Sequence, residues 1–442
     1  MTKAEYLRLF QEKLESFNRE LQSEIMEDYE QHFAEGLAEG KSEEEIIEEL
    51  GNIEDMIREL PEEEIRQEIA VEEPEDFRED CEMDPEAERS GVFGGEYRGV
   101  VIDGLVADVT LESSEDGRIH VDYRNDGDRL RYCFFQYEQD GVFHAGVKKV
   151  RGYEEGDGNP EENGRSIKVV LFGKTLLSYR KFYSDGGDIK LSVRIPEGMP
   201  VVELKTASGD VRVSRVRVGK LTASAASGDM EIENMSAEQA DIGTASGKMN
   251  IHRLRAERTE IKSASGDMEI RGLAAGQVNV KTTSGDITVF DGAAAELELQ
   301  SGSGDVELES LQAQKVHLHS GSGDINGTAV SGKELYAVGG SGDISIFGNM
   351  EEYTIKTGSG DVVLKAGRKT VCVRVETGSG DAEVDMKGAE NVEVSASVGS
   401  GDGVIYGADG SRHQVSHGGC TVGSGDCKVS VNVGSGDLEV RC

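Results

Sequence analysis

The tripeptide Ser-Gly-Asp recurs through the second half of the chain, with serine at 208, 227, 265, 284, 303, 322, 341, 359, 379, 400, 424 and 435. Ser246-Gly-Lys248 fills the one missing slot. With that slot counted, the first seven intervals are 19 residues each, followed by 18, 20, 21, 24 and 11. A fixed period near 20 residues demands an architecture in which each period is one unit stacked on the last.

The columns between the turns say what the unit is. Three residues after each serine stand Val211, Met230, Met249, Met268, Ile287, Val306 and Ile325. Five after stand Val213, Ile232, Ile251, Ile270, Val289 and Leu308, and the position between is polar: Arg212, Glu231, Asn250, Glu269, Thr288, Glu307. That is strand alternation, apolar in and polar out. Val216, Met235, Leu254 and Leu273 mark a corner at +8. Leu221/Ala223, Ala240/Ile242, Thr259/Ile261, Val278/Val280, Leu297/Leu299 and Val316/Leu318 form a second strand at +13 and +15. Position +17 is small: Ala225, Thr244, Ser263, Thr282, Ser301, Ser320. One such coil cannot bury these columns alone, so coils stack at about 4.8 Å and like meets like. The pattern predicts a single-chain parallel β-solenoid of about 12 coils.

The turn triplets Ser208-Gly209-Asp210, Ser227-Gly228-Asp229, Ser265-Gly266-Asp267 and Ser284-Gly285-Asp286 read as structural corners. Glycine tolerates positive φ at a sharp turn. Serine and aspartate oxygens accept from nearby amides. The alternative is a calcium ladder on the aspartates, but each turn offers one carboxylate where calcium repeats bring two or several aligned carbonyls. The expectation is no cofactor, with Ca²⁺ on the turns as the minor alternative.

Residues 91–200 alternate as well, in Val100–Ile102, Ala107–Leu111 and Ile119–Tyr123, with turns at Gly117 and Asn125-Asp-Gly127. They predict an antiparallel β segment that leads into the solenoid and caps it. Gly173-Lys174-Thr175 lacks the glycine five residues earlier that a phosphate loop needs, since Lys168 stands there.

The first part of the chain follows a different period. Leu7, Phe10, Leu14, Phe17 and Leu21 form one helical stripe, and Ile25, Met26, Tyr29, Phe33 and Leu37 a second. Ser42 with Glu45 is a capping box ahead of Ile46, Ile47 and Leu50. The expected organisation is a small α-helical bundle over 1–70, an acidic linker over 71–90, the antiparallel β segment over 91–200 and the solenoid over 201–442. Residues 1–90 hold 32 acidic and 9 basic residues of a chain whose formal net charge is −39. So acidic a chain repels nucleic-acid phosphates.

Met1–Leu7, Glu27-Asp-Tyr-Glu-Gln-His-Phe33 and Gly40–Gly51 resemble the bacterial HAAS signalling domain, which is associated with PadR-type transcription regulators. Ile53 stands where that family usually has proline. The resemblance implies a protein-interaction role. Tyr29 and Phe33 fit the core of the bundle; the other reading places them, with Leu50, on a face that docks a partner helix. Residues 92–442 resemble a bacterial candidate-adhesin domain of unknown function, a β-solenoid with recurring Ser-Gly-Asp turns, and the likeness includes Gly99–Ile102 and Ala107–Val109.

No catalytic set stands apart from the repeat, and a dyad of Ser and Asp is not needed twelve times. Cys81, Cys133, Cys372, Cys420, Cys427 and Cys442 make no Cys-x-x-Cys and read as reduced thiols. The pairs His317/His319 and His413/His417 read as exposed histidines, not ligands. No run of 18 apolar residues predicts a membrane helix, and the first residues lack a secretory pattern. The expectation is a non-enzymatic, cytoplasmic interaction scaffold, with its helical part binding a protein partner such as a PadR-type regulator. Membrane or surface association through a partner is the alternative location. An adhesin-like or self-assembling solenoid is the alternative function, argued from an open strand edge at Leu438–Val440 that invites end-to-end pairing.

Overall fold

The computed structural model describes residues 88–126, 131–149, 166–171, 174–180, 189–386, 391–415, 420–422 and 425–442. They belong to the second of two compact units, Cys81–Cys442. The helical bundle expected over 1–70 lies outside the described residues, and so does the linker up to residue 87. Among the described residues no α-helix occurs, and 27 strands join in one sheet. A hairpin of Ser166–Leu171 with Lys174–Arg180 stands apart.

Between Met199 and Asp385 the chain winds a parallel β-solenoid of about 10 turns with a period near 19, fewer than the 12 expected. The other coils sit out of sequence order at the two ends. An interior turn is one long strand such as Met249–Ser263. It pairs in parallel with the strand one period earlier, Met230↔Met249, Ile232↔Ile251 and Ile242↔Ile261. Alternation decides which side chains go inside: Met249, Ile251, Leu254 and Ile261 are all fully buried. Each such side chain stabilises by about 1.5–3 kcal/mol, and the same set recurs on every rung. Aromatic side chains are rare inside. Tyr353 is the largest fully buried one, and its Oη accepts from the Met350 amide at 3.0 Å. Burial pushes its phenol up to about 12.

In seven successive coils the bend is made by one residue in the left-handed region. Arg215, Asn234, Arg253, Asp291, Ser310 and Ala329 have φ between 51° and 57°, and Gly272 has 69°. These lie seven residues after each turn serine. The extra residue bulges out of the ladder: Thr328 pairs with Phe347 and Val330 with Gly348, leaving Ala329 unpaired. The coil beginning at Ser341 lacks this bulge, which is why its interval is 18.

The ends depart from sequence order. Strands Gly99–Leu105 and Asp108–Ser113 pair in parallel with Met199–Thr206 and Val211–Ser214. A full coil therefore lies inside the segment expected to be antiparallel. Beyond it, Tyr132–Gln139 is antiparallel to Val142–Lys149, and Glu88–Phe93 to Ile119–Asn125. At the other end, Cys427–Ser435 lies between Cys372–Ser379 and Val392–Ser400. Leu438–Arg441 likewise lies between Ala382–Asp385 and Gly403–Tyr406. The open edge expected at Leu438–Val440 is thus closed on both sides. The outermost coil carries antiparallel strands, Arg412–Val415 on Gly403–Tyr406 and Cys420–Val422 on Val392–Ser400. The premise of end-to-end pairing through residues 438–440 is corrected accordingly.

Candidate functional site: the Ser-Gly-Asp edge and the outward faces

The turn triplets align into one edge, where rungs come closest. A Cβ on Gly228 would stand 2.0 Å from the carbonyl oxygen of Gly209, on Gly247 1.9 Å from that of Gly228, and on Gly285 2.2 Å from that of Gly266. Such distances are far inside van der Waals contact, so only glycine fits. This corrects the reason expected for it. Positive φ occurs at Gly380, Gly401 and Gly436 but not at Gly209, Gly228, Gly266 or Gly285.

The small residues two positions before each turn serine have a role that sequence reasoning missed. The hydroxyls of Thr282, Ser301 and Ser320 are fully buried and accept from the amides of Gly285, Gly304 and Gly323 at 3.1, 2.8 and 2.9 Å. Ser301 and Ser320 also donate to the carbonyls of Gly285 and Gly304 on the preceding rung, at 3.2 and 3.1 Å. The signal was in the sequence: the column is Thr or Ser from 244 to 320, not merely small.

The aspartates link rung to rung. The Asp229 amide donates to Asp210 Oδ1 at 2.9 Å, and the Asp286 amide to Asp267 Oδ1 at 3.2 Å. The ladder begins before the first Ser-Gly-Asp, since Asp108 Oδ1 accepts from the Asp210 amide at 3.0 Å. Lys248 donates to Asp229 but has no carboxylate to offer Asp267. Ser227, Ser265 and Ser284 hydroxyls donate to the carbonyls of Ala207, Ala245 and Ala264 at 3.2–3.4 Å. Where the turn carries aspartate and another rung follows, one carboxylate oxygen is therefore committed to backbone. Among the described residues no group of three or more His, Cys, Asp or Glu is arranged to hold a metal ion.

The outward faces carry rung-to-rung pairs: Arg212–Glu231 at 2.7 Å, Lys356–Glu376 at 2.8 Å and Lys428–Glu393 at 2.8 Å. Such exposed pairs contribute at most about 1 kcal/mol each. Within one strand, the Arg271 guanidinium 2.5 Å from Glu269 holds that carboxyl below its ordinary range. Arg271 also lies over the Phe290 ring at 4.1 Å, and Lys365 over Phe347 at 4.5 Å. His317 and His319 point outward, with His317 against the Tyr336 ring at 5.9 Å. His413 contacts the Ser411 hydroxyl at 2.9 Å, and His417 lies outside the described residues. A shallow groove of about 720 Å³ runs past Lys356, Thr357, Gly358, Glu376, Thr377 and Gly378. A second, of about 530 Å³, is floored by Ala256, Ala275, Ala294 and Ala313.

Tyr29, Phe33 and Leu50 lie outside the described residues. Cys133 is disulfide-bonded, against the expectation that all six thiols are reduced. Cys372, Cys427 and Cys442 are free. Burial pushes the Cys427 thiol up, with Cys372 adding to the shift.

Residues 5–59 match the HAAS family model. No curated protein matches the chain. Among solved structures it is similar to a candidate adhesin from Parabacteroides merdae ATCC 43184, at 14% identity and TM-score 0.33, over 66% of this chain and 95% of that one. A candidate lipid-binding protein from Parabacteroides distasonis ATCC 8503 gives 16% identity and TM-score 0.32, over 66% and 96%. A candidate adhesin from Bacteroides fragilis NCTC 9343 gives 12% and 0.27, over 80% and 96%. The Toastrack DUF4097 model matches residues 98–293 and again 260–441, and with most of its length so matched, the chain belongs to the Toastrack DUF4097 family.

Proposed function

We propose that the protein is a non-enzymatic interaction scaffold, in which the HAAS-matching region binds a protein partner and the solenoid presents a long outward surface. The HAAS match over 5–59 is the observation that carries this reading. It is supported by the chemistry of the Ser-Gly-Asp edge, where the polar atoms that a catalyst would use are bonded to neighbouring backbone. The proposed partner is a PadR-type transcription regulator, and the proposed docking residues are Tyr29, Phe33 and Leu50. The proposed location is the cytoplasm.

Co-expression of the full chain with a PadR-type regulator from the same genome tests the reading. The regulator is expected to co-purify with the chain and to be lost, by at least tenfold, from a chain carrying Leu50→Asp. Leu50→Met is expected to retain it. Absence of co-purification with the unaltered chain overturns the partner assignment.

A second reading is an adhesin-like surface element, with the outward faces and their rung-to-rung charged pairs as its contact surface. Fractionation separates the two: recovery of the chain at the cell surface supports the second and counts against the first.

A further inference from the structure

The coil at 427–441 differs from every interior coil of the stack. An interior coil continues into its neighbour through a Ser-Gly-Asp turn, as Ser263 does into Met268. The coil at 427–441 reaches its place through residues 407–426 instead, after the chain has laid down the coil at 392–406 one position further out. The coils at 372–385 and 392–406 thus bound a slot one rung wide, and a later segment fills it.

The fit is complete on both sides. On one side Gly380 and Ala382 donate to the carbonyls of Ser435 and Asp437 at 2.9 Å. On the other, Gly436 and Leu438 donate to the carbonyls of Ser400 and Asp402 at 2.9 Å. The aspartate ladder runs through it, from Asp381 to the Asp437 amide at 2.8 Å and from Asp437 to the Asp402 amide at 2.9 Å. Outward side chains clamp it: Arg441 to Glu383 at 2.8 Å, Lys428 to Glu393 at 2.8 Å and Asn432 to Ser397 at 2.7 Å. Inside, Cys427, Val429, Val431, Val433, Leu438 and Val440 are all buried.

None of these contacts depends on the coil and the slot belonging to one chain. We propose that the slot between 372–385 and 392–406 is an exchange site that also takes the 427–441 coil of a second copy, so that two chains dimerise by trading this coil. Every bond named above is conserved in the exchange, which recurs in proteins as a low-cost route to dimers. The mode is strand addition, with main-chain bonds giving affinity and alternate side chains giving register. The connection at 407–426 is about 20 residues and spans up to roughly 65 Å when extended, ample for reaching a neighbouring molecule. Extending the connection releases the short antiparallel pairings of Arg412–Val415 and Cys420–Val422, while the slot keeps its bonds, so mass action sets the balance and the dimer is favoured by concentration.

The test uses the in-register pair Glu383↔Glu439, whose side chains share the outward face. A full chain carrying Glu383→Cys and a full chain carrying Glu439→Cys are mixed in urea and refolded together over a hundredfold range of concentration. They are then oxidised with a small-molecule disulfide, which takes up the two electrons as the 383–439 bond forms. A chain carrying both substitutions, refolded dilute, serves as the reference and is expected to form the bond within itself. For the mixture, an interchain 383–439 bond identified by peptide mass mapping is expected, with its yield rising at least fivefold across the range. If the doubly substituted chain forms its bond and the mixture forms none at any concentration, exchange is overturned. If the doubly substituted chain forms none, the slot itself is overturned.

Discussion

The two bends of each coil solve the same problem by opposite means. At the Ser-Gly-Asp edge, rung rests on rung with a glycine Cβ position only about 2 Å from the backbone oxygen below. That contact admits one residue type, so the sequence there is uniform. At the other bend a single residue enters the left-handed region, and Arg215, Asn234, Asp291 and Ala329 all do it. Here the constraint is intrinsic to one residue's backbone and costs about 1–2 kcal/mol for a non-glycine. Side chains at this bend point to solvent, so the sequence is free to vary. A repeat is visible in sequence where neighbours restrict one another, and it fades where each rung carries its own strain.

Gly247→Ala attacks the first bend directly. Its Cβ meets backbone on the rung below, which cannot swing aside, and a loss of about 3 kcal/mol is expected in urea unfolding. A loss under about 0.5 kcal/mol would show that the edge can open without cost.

Ser301→Ala probes the buried hydroxyl that joins the turn to the rung before it. The Gly304 amide loses its acceptor and the Gly285 carbonyl a donor. Leaving these groups unsatisfied is expected to cost about 1–3 kcal/mol. Ser301→Thr keeps the hydroxyl and is expected to restore most of it, as Thr282 already serves one rung earlier.

The second bend should answer in the other direction. Ala329→Gly relieves the left-handed strain at φ 55°, partly offset by glycine's entropy, for a gain of up to about 1 kcal/mol. The same exchange at Ala313, which is buried and not left-handed, is expected to destabilise. Equal responses at the two sites would erase the distinction drawn between them.

The smallest effect concerns the outward face. Arg271 lowers the Glu269 pKa in the folded chain, so this carboxylate stabilises the fold above its unfolded pKa. The contribution disappears as pH falls through the depressed folded value. Glu269→Gln is therefore expected to lower Tm slightly at pH 7 and not at pH 2.5, as read by thermal melts at the two pH values.

Much of this was legible beforehand. The apolar columns at Met230, Met249 and Met268 and at Ile232, Ile251 and Ile270 face the interior as alternation requires. The rung-to-rung aspartate bonds use the short side-chain oxygens that the turn reading pointed to. The purpose of the turn glycine was not legible, because positive φ and close approach select the same residue. The hydroxyl column was visible as letters, but its partners are the backbone of another rung, which no local pattern names. Asp108 escaped notice because Ala107 stands where the triplet has glycine, although its carboxylate starts the ladder.

Sequence alone determined that like residues would stack, because a 19-residue period places each apolar side chain over its own equivalent and buries both. It did not determine the order of the stack. The coils at 372–385, 392–406 and 427–441 carry the same columns and the same turn, so either order satisfies the pattern equally. Only the uneven intervals of 21, 24 and 11 hinted at a break. The tertiary structure places the last of these coils in the middle, because there both of its edges are paired and its apolar face is covered from two sides.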